Sequence, residues 1–290
     1  MADGKSKVLA IRIGFGTALI LGMAGIFLAD LWTATNFATT MAGAALVGLG
    51  CWEFYGLAER KGLRPWKATG AVAGGLLVVA QWLDVQVQAG IPLAFSRTAL
   101  LGCVLLFALL ALLRRQRATA IEDVSITVFG LLYVWFLMGF YFEVRNDPAL
   151  PGHAGLWILA MGVGASKAGD IGAFFTGRFL GRRRLAPSVS PNKTLEGSAG
   201  GLAASIGFAV AFARWQPDCG ALFATPLAVA FGLAVGVVSQ AGDLFESVLK
   251  RAVHAKDSGA LIPEFGGVLD LIDGVLFSAP AVWCLVQLVK

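Results

Sequence analysis

The chain has 290 residues, is 57% hydrophobic and only 14% charged, and carries a formal net charge of +5. A mean hydropathy of +0.75 leaves too few polar residues to solvate a water-soluble domain, so a soluble enzyme is excluded and an integral membrane protein is implied. Membrane orientation accounts for the positive balance, and no nucleic-acid partner is implied.

In chain order, the apolar runs predict an all-α polytopic protein. The predicted spans are Val8–Ala29, Asn36–Leu57, Ala68–Leu83, Thr98–Leu113 and Val124–Phe142, followed by Leu156–Gly177, Gly197–Ala213, Ala221–Val248 and Gly267–Val289. The third and fourth are short against the roughly 20 residues a membrane helix needs. No polar stretch is long enough to fold alone, so residues 1–290 read as a single membrane domain. Within it, residues 8–142 form scaffold or dimerisation helices, and residues 156–290 carry the chemistry. Met1–Lys7 is short and polar, and the apolar run after it is too long for the core of a cleavable signal peptide. Cys51, Cys103, Cys219 and Cys284 are scattered without metal-ligand spacing and read as small core residues.

Nine spans put the termini on opposite sides, and the cations choose the sides. Lys5, Lys7, Arg60, Lys61, Arg64, Lys67, Arg114, Arg115 and Arg117 fall on one face, with Arg178, Arg182, Arg183, Arg184, Lys193, Lys250, Arg251 and Lys256. The other face has only Arg97, Arg145, Arg214 and Lys290. The expected topology therefore has a cytoplasmic N-terminus and an outside C-terminus. The polar loops after the sixth and eighth spans then face the cytoplasm.

Three constellations carry candidate chemistry. In the sixth span, Lys167 and Asp170 stand three apart; they form either a self-neutralising pair or a polar wall in which Asp170 faces a cavity. The loop FTGRFLGRRRLAPSVSPNKTLEGSAGG follows, with Ser188, Ser190, Asn192, Lys193, Thr194 and Glu196 ahead of a helix opened by small residues. Hydroxyls, backbone N–H groups and a lysine beside a helix N-terminus suit phosphate oxygens. Arg182–Arg184 reads as a topology determinant instead. The third stretch is GDLFESVLKRAVHAKDSGALIPEFGGVLDLID, from Gly242 to Asp273. Asp243 and Glu246 are three apart, and so are Asp270 and Asp273, so each pair shares one helix face. Ser247 and Lys250 extend the first face. Carboxylates without His or Cys suit Mg²⁺ or Mn²⁺ better than Zn²⁺. A solvated network with Lys250, Arg251 and Lys256 is the plainer alternative. Against it, Asp270 and Asp273 interrupt the apolar run GGVLDLIDGVLF, where unpartnered burial is costly. His153 and His254 fall in connections without triad partners; His153 reads as a surface residue and His254 lies within plausible reach of a phosphate.

At these residues the chain resembles the phosphatidate cytidylyltransferases, or CDP-diacylglycerol synthases. Gly242, Asp243, Glu246 and Ser247 match the family's G-D-x-x-E-S element. Its C-terminal signature is matched at Ser247, Lys250, Arg251, Lys256, Asp257, Pro263, Gly266, Gly267, Asp270 and Asp273. The S-P-K-K-T-x-E-G loop is matched at Ser190, Pro191, Lys193, Thr194, Glu196 and Gly197, and D-x-x-A-Y-x-x-G-R at Asp170, Ala173, Gly177 and Arg178. Phe265, Leu271, Asn192 and Phe174 stand where the family has His, Arg, Lys and Tyr, which leaves the pocket rim divergent. The first five spans match only in hydropathy. The resemblance implies that phosphatidic acid attacks the α-phosphate of CTP, giving CDP-diacylglycerol and pyrophosphate. It implies Asp243, Asp270 and Asp273 as ligands of Mg²⁺, with Lys250 among the catalytic residues. Substrate contacts are implied at Asp170, Ser190, Pro191, Asn192, Lys193, Thr194, Glu196, Glu246, Ser247, Arg251, Lys256, Asp257, Gly266 and Gly267. The lipid tails stay in the bilayer, a bacterial inner membrane is the expected location, and a homodimer is among the expected assemblies. Rival readings are a CTP-dependent polyprenol or phytol kinase of the same fold, a cytidylyltransferase for an ether-lipid phosphate, and an ion-coupled transporter.

Overall fold

The computed structural model describes residues 2–33, 35–87, 95–113, 118–262 and 266–290. Arg114, Arg115, Arg117, Pro263, Glu264 and Phe265, which the sequence reading used, lie outside the described residues. Among those described, the protein is helical apart from one short hairpin. Nine helical stretches are long and apolar enough to cross a membrane, as the hydropathy pattern predicts. The chain is an integral membrane protein.

The described chain falls into two compact units, Met1–Trp135 with Ala255–Leu271, and Phe136–His254 with Ile272–Lys290. In the first, α1 (Ala2–Thr33) and α2 (Phe37–Arg60) meet at a corner built on Asp30. The buried Asp30 carboxylate accepts the Ala38 N–H at 2.8 Å and the Thr39 N–H at 3.2 Å. It thus satisfies donors that a helix start leaves open. Helices α3 (Lys67–Gln86), α4 (Phe95–Leu113) and α5 (Ala120–Gly130) complete this set. Tyr55 on α2 is fully buried, and its hydroxyl donates to the Thr127 carbonyl at 2.7 Å. A Cβ on Gly70 or Gly130 would come within 2.6 or 2.3 Å of that ring, so α3 and α5 pack on Tyr55 only because those positions lack side chains. Lipid gives no hydrophobic drive for helix association, and close backbone approach supplies the contact energy instead.

The fifth span runs through α5, a π-helical segment Leu131–Phe136 and α6 (Leu137–Arg145). The second unit is built on α7 (Ala154–Leu180), α8 (Leu195–Trp215) and α10 (Thr225–Ala252). Small residues again set the spacing. A Cβ on Gly172 would sit 2.5 Å from the Ala204 methyl, and one on Gly232 would sit 2.5 Å from the Ile206 Cα. The eighth span starts at Thr225 and not at the expected Ala221, which belongs to the short helix α9 (Pro217–Leu222). Pro226 lacks an N–H and its ring clashes with a preceding helical turn, so a helix arriving from Ala221 stops and a new one starts with Pro226 in its first turn. The final helix is α11 (Val268–Val289). Exposed Leu101, Leu105, Phe179 and Leu288 line outer helix faces, an arrangement lipid tolerates and water would not.

The loop after α7, expected as an irregular connection, contains an antiparallel hairpin of β1 (Arg184–Ala186) and β2 (Ser190–Thr194). Thr194 ends it in an extended conformation and caps α8, its hydroxyl oxygen accepting the Gly197 N–H at 3.1 Å.

Candidate active site

The second unit gathers the acids through a close helix approach. A Cβ on Gly242 would sit 2.7 Å from the Asp273 carbonyl oxygen, and one on Gly274 would sit 2.4 Å from Ser239 Oγ. Glycine at both positions lets α10 run hard against the Ile272–Val289 part of α11. Asp243 and Glu246, one turn apart on α10, thereby meet Asp273. One carboxylate oxygen from each of the three lies within 4.8 Å of the others. Glu246 and Asp273 are buried and Asp243 is partly exposed. Two like charges at that separation repel by roughly 3 kcal/mol at an effective dielectric near 20, so the cluster needs cations. Asp273 Oδ1 accepts the Gly274 N–H at 2.6 Å.

Two lysines supply part of that charge. Lys193, on β2, pairs with Asp243, and Lys250, one turn along α10, pairs with Glu246. The hairpin therefore delivers Lys193 to an acid 50 positions away in sequence (243 − 193). Lys167 Nζ lies 2.8 Å from Asp170 Oδ2, and the charges of Asp273 and Asp243 also act on it. The pair on α7 is thus self-neutralising and within electrostatic reach of the acid cluster.

The other expected residues of this unit take several places. Arg251 Nε donates to the Val189 carbonyl at 3.2 Å and ties the end of α10 to the hairpin turn. Glu196 Oε2 accepts the N–H groups of Arg182 and Arg183 at 3.0 and 3.2 Å, so this carboxylate braces the hairpin backbone. Ser190, Pro191 and Asn192 lie on β2 beside Lys193. Ser247 is buried on α10. Phe174, on α7, is exposed and packs edge-on against Phe175 at 5.4 Å.

The remaining expected residues belong to the first unit. Lys256 and Asp257 are exposed, and the Asp257 carbonyl accepts from Arg60 at 3.5 Å. Gly266 has φ +93° and bridges back to Ile262 through two backbone hydrogen bonds of 2.9 and 3.0 Å. Asp270 Oδ2 accepts the Ser258 N–H, the Ser258 hydroxyl and the Gly267 N–H at 2.9, 2.8 and 2.8 Å. Of the acids expected at a metal, Asp243 and Asp273 stand together with Glu246, which the motif reading placed among substrate contacts. Asp270 is engaged within the other unit.

The motifs passed over Glu53 as well. Glu53 is buried on α2, with Oε2 accepting the Leu269 N–H at 2.8 Å. Its signal was a carboxylate inside an apolar span, a functional candidate by default.

An oxygen-only donor set with two buried carboxylates suits a hard divalent cation such as Mg²⁺. Flanking lysines beside it suit phosphate. The fold and this cluster together define a polytopic helical membrane protein with a centre of three acids and two lysines paired on them. The chain matches the model of the cytidylyltransferase family over residues 12–289, and it belongs to that family. It is 32% identical over 310 residues to the phosphatidate cytidylyltransferase of Synechocystis sp., covering 98% of this chain and 95% of that protein. The phosphatidate cytidylyltransferase of Chlamydia pneumoniae is 27% identical over 261 residues, covering 87% and 83%. An Arabidopsis thaliana relative, phosphatidate cytidylyltransferase 4, chloroplastic, is 29% identical over 308 residues, covering 98% and 74%.

Proposed function

We propose that the protein is a phosphatidate cytidylyltransferase that uses CTP to make CDP-diacylglycerol. The observation that carries this reading is the Asp243–Glu246–Asp273 cluster with Lys193 and Lys250 paired on it, in a chain of the cytidylyltransferase family. A phosphate oxygen of phosphatidic acid attacks the α-phosphorus of CTP. The bond from that phosphorus to the oxygen bridging to the β-phosphate breaks, and pyrophosphate leaves. The attacking oxygen is already ionised at neutral pH, so no general base is needed.

The difficulty is anion meeting anion, and the residues answer it by screening and alignment. Asp243, Glu246 and Asp273 would hold Mg²⁺, which when bound supplies charge neutralisation at the phosphates. Assignment of Asp270 to Mg²⁺ rests on its sequence motif. Lys193 and Lys250 are held beside the acids before substrate arrives, so their ammonium groups need little reorganisation to meet phosphate oxygens. Arg251 fixes the hairpin that carries Lys193. Lys256 and Asp257 are assigned to substrate by their motif positions. The site faces the cytoplasm of a bacterial inner membrane in this reading, supported by the distribution of Lys and Arg among the loops.

The test is a label. Purified protein is given phosphatidic acid, Mg²⁺ and CTP labelled at either the α- or the γ-phosphate. Label from the α-position should enter lipid, with pyrophosphate released and the signal lost in EDTA. Transfer of γ-label to a polyprenol or phytol would instead establish a kinase. CTP-independent ion flux across liposomes would establish a transporter.

A further inference from the structure

Glu53 occupies a costly position. It sits in the apolar span Phe37–Arg60 and is 4% exposed, where a carboxylate persists only if hydrogen bonds hold it. Its Oε2 accepts the Leu269 N–H at 2.8 Å and lies 3.4 Å from Ser258 Oγ. Leu269 is in the first turn of α11, where backbone N–H groups have no acceptor within the helix and a negative charge is favoured by the helix dipole. Glu53 therefore caps α11 from a residue 216 positions away.

The segment is shaped around this carboxylate. A Cβ on Gly259 would lie 2.3 Å from Glu53 Oε1, and one on Gly267 would lie 2.3 Å from Oε2. The backbone on both sides of Ile262 thus approaches Glu53 more closely than any side chain permits. The same segment carries Asp270, whose Oδ2 accepts from Ser258 and Gly267. The Ser258 hydroxyl, with one proton to give, lies between the two acids and nearer Asp270. Glu53 and Asp270 both hold one stretch of chain, through Leu269 in one case and Gly267 in the other.

We propose that Glu53 is a positioning residue for the transferase reaction: it holds residues 258–262 and 266–269 so that Asp270 keeps its orientation. It touches no substrate in this role and acts through the segment. The inference rests on the cytidylyltransferase reading above.

The test is a double-mutant cycle between Glu53 and Gly259, because the closest atoms to an added Cβ at Gly259 all belong to Glu53. Wild type, E53A, E53Q, G259A and E53A/G259A are purified and checked for monodispersity. Each is then assayed for α-label transfer at varied CTP and Mg²⁺. Glu53→Ala should lower kcat by about 100-fold, the order expected of a small misplacement, and raise the Mg²⁺ concentration for half-maximal activity. Glu53→Gln keeps an acceptor for Leu269 and should recover at least tenfold of the loss. Gly259→Ala should impair the wild type but cost nothing further in the E53A background, where its methyl has room. Multiplicative losses in the double variant, or a monodisperse E53A with wild-type kcat and Mg²⁺ requirement, would overturn the role. If E53A does not fold, the comparison of G259A with E53Q/G259A decides, since the clash persists with Gln and both should be equally impaired. A wild type that transfers no label would instead defeat the enzymatic reading.

Discussion

At the residue scale, the proposed chemistry turns on carboxylates placed where the surroundings resist charge. Asp273 is 6% exposed and stands within 4.8 Å of two other acids. Its tolerance there depends on cations, two of which, Lys193 and Lys250, are already paired to its neighbours. Asp273→Asn removes the carboxylate charge proposed to hold Mg²⁺ while keeping the side-chain shape. CTP-dependent turnover should fall by at least about 100-fold, since a metal's charge stabilisation amounts to several kcal/mol, while the amount of protein in the membrane stays the same. Activity of the purified variant per mole of protein checks this. The acids at 243, 246, 270 and 273 were legible from their spacing and from the apolar run they interrupt. Their division was not: helical periodicity says which residues share a face, and it is silent on which face of another helix they meet.

At the scale of elements, two devices place these side chains. One is the close approach of α10 and α11 through Gly242 and Gly274. Gly242→Leu should force the helices apart and abolish turnover, with the variant still inserted in the membrane; protease protection and the labelling assay report the two effects separately. The other is the hairpin Arg184–Thr194, which ends in the Thr194 cap of α8. Thr194→Ala should lower stability by about 1 kcal/mol, the usual cost of losing such a cap, read as a lower midpoint of thermal unfolding in detergent. The hairpin was hidden in the sequence because its strands are short and its residues are those of any polar loop. The break between α9 and α10 was legible in Pro226, whose consequence the hydropathy profile alone obscures.

At the scale of the whole molecule, the described residues include nine helical stretches apolar enough to cross a bilayer, and the one-sided distribution of Lys and Arg predicts a cytoplasmic N-terminus and an outside C-terminus. A reporter fused after Lys290 should be active only when exported, and activity in the cytoplasm would reverse the topology. Membership of the cytidylyltransferase family extends over residues 12–289, although the motifs that made the resemblance visible run only from Asp170 to Asp273. The earlier helices contribute more than hydropathy suggested, since Glu53 on α2 reaches the start of α11.

The sequence by itself determined that this is a helical membrane protein, how many apolar stretches it has, and that phosphate-suited lysines and metal-suited acids cluster in its C-terminal half. Those follow from local composition and from the fixed periods of helix and bilayer. Only the tertiary structure decided that Glu246 joins Asp243 and Asp273, that Lys193 reaches Asp243 from a hairpin, and that Ser258, Gly259, Gly267 and Leu269 close around Glu53 of α2. Such pairings depend on where small residues let distant backbones touch, and that is a property of two surfaces together, which neither segment carries alone.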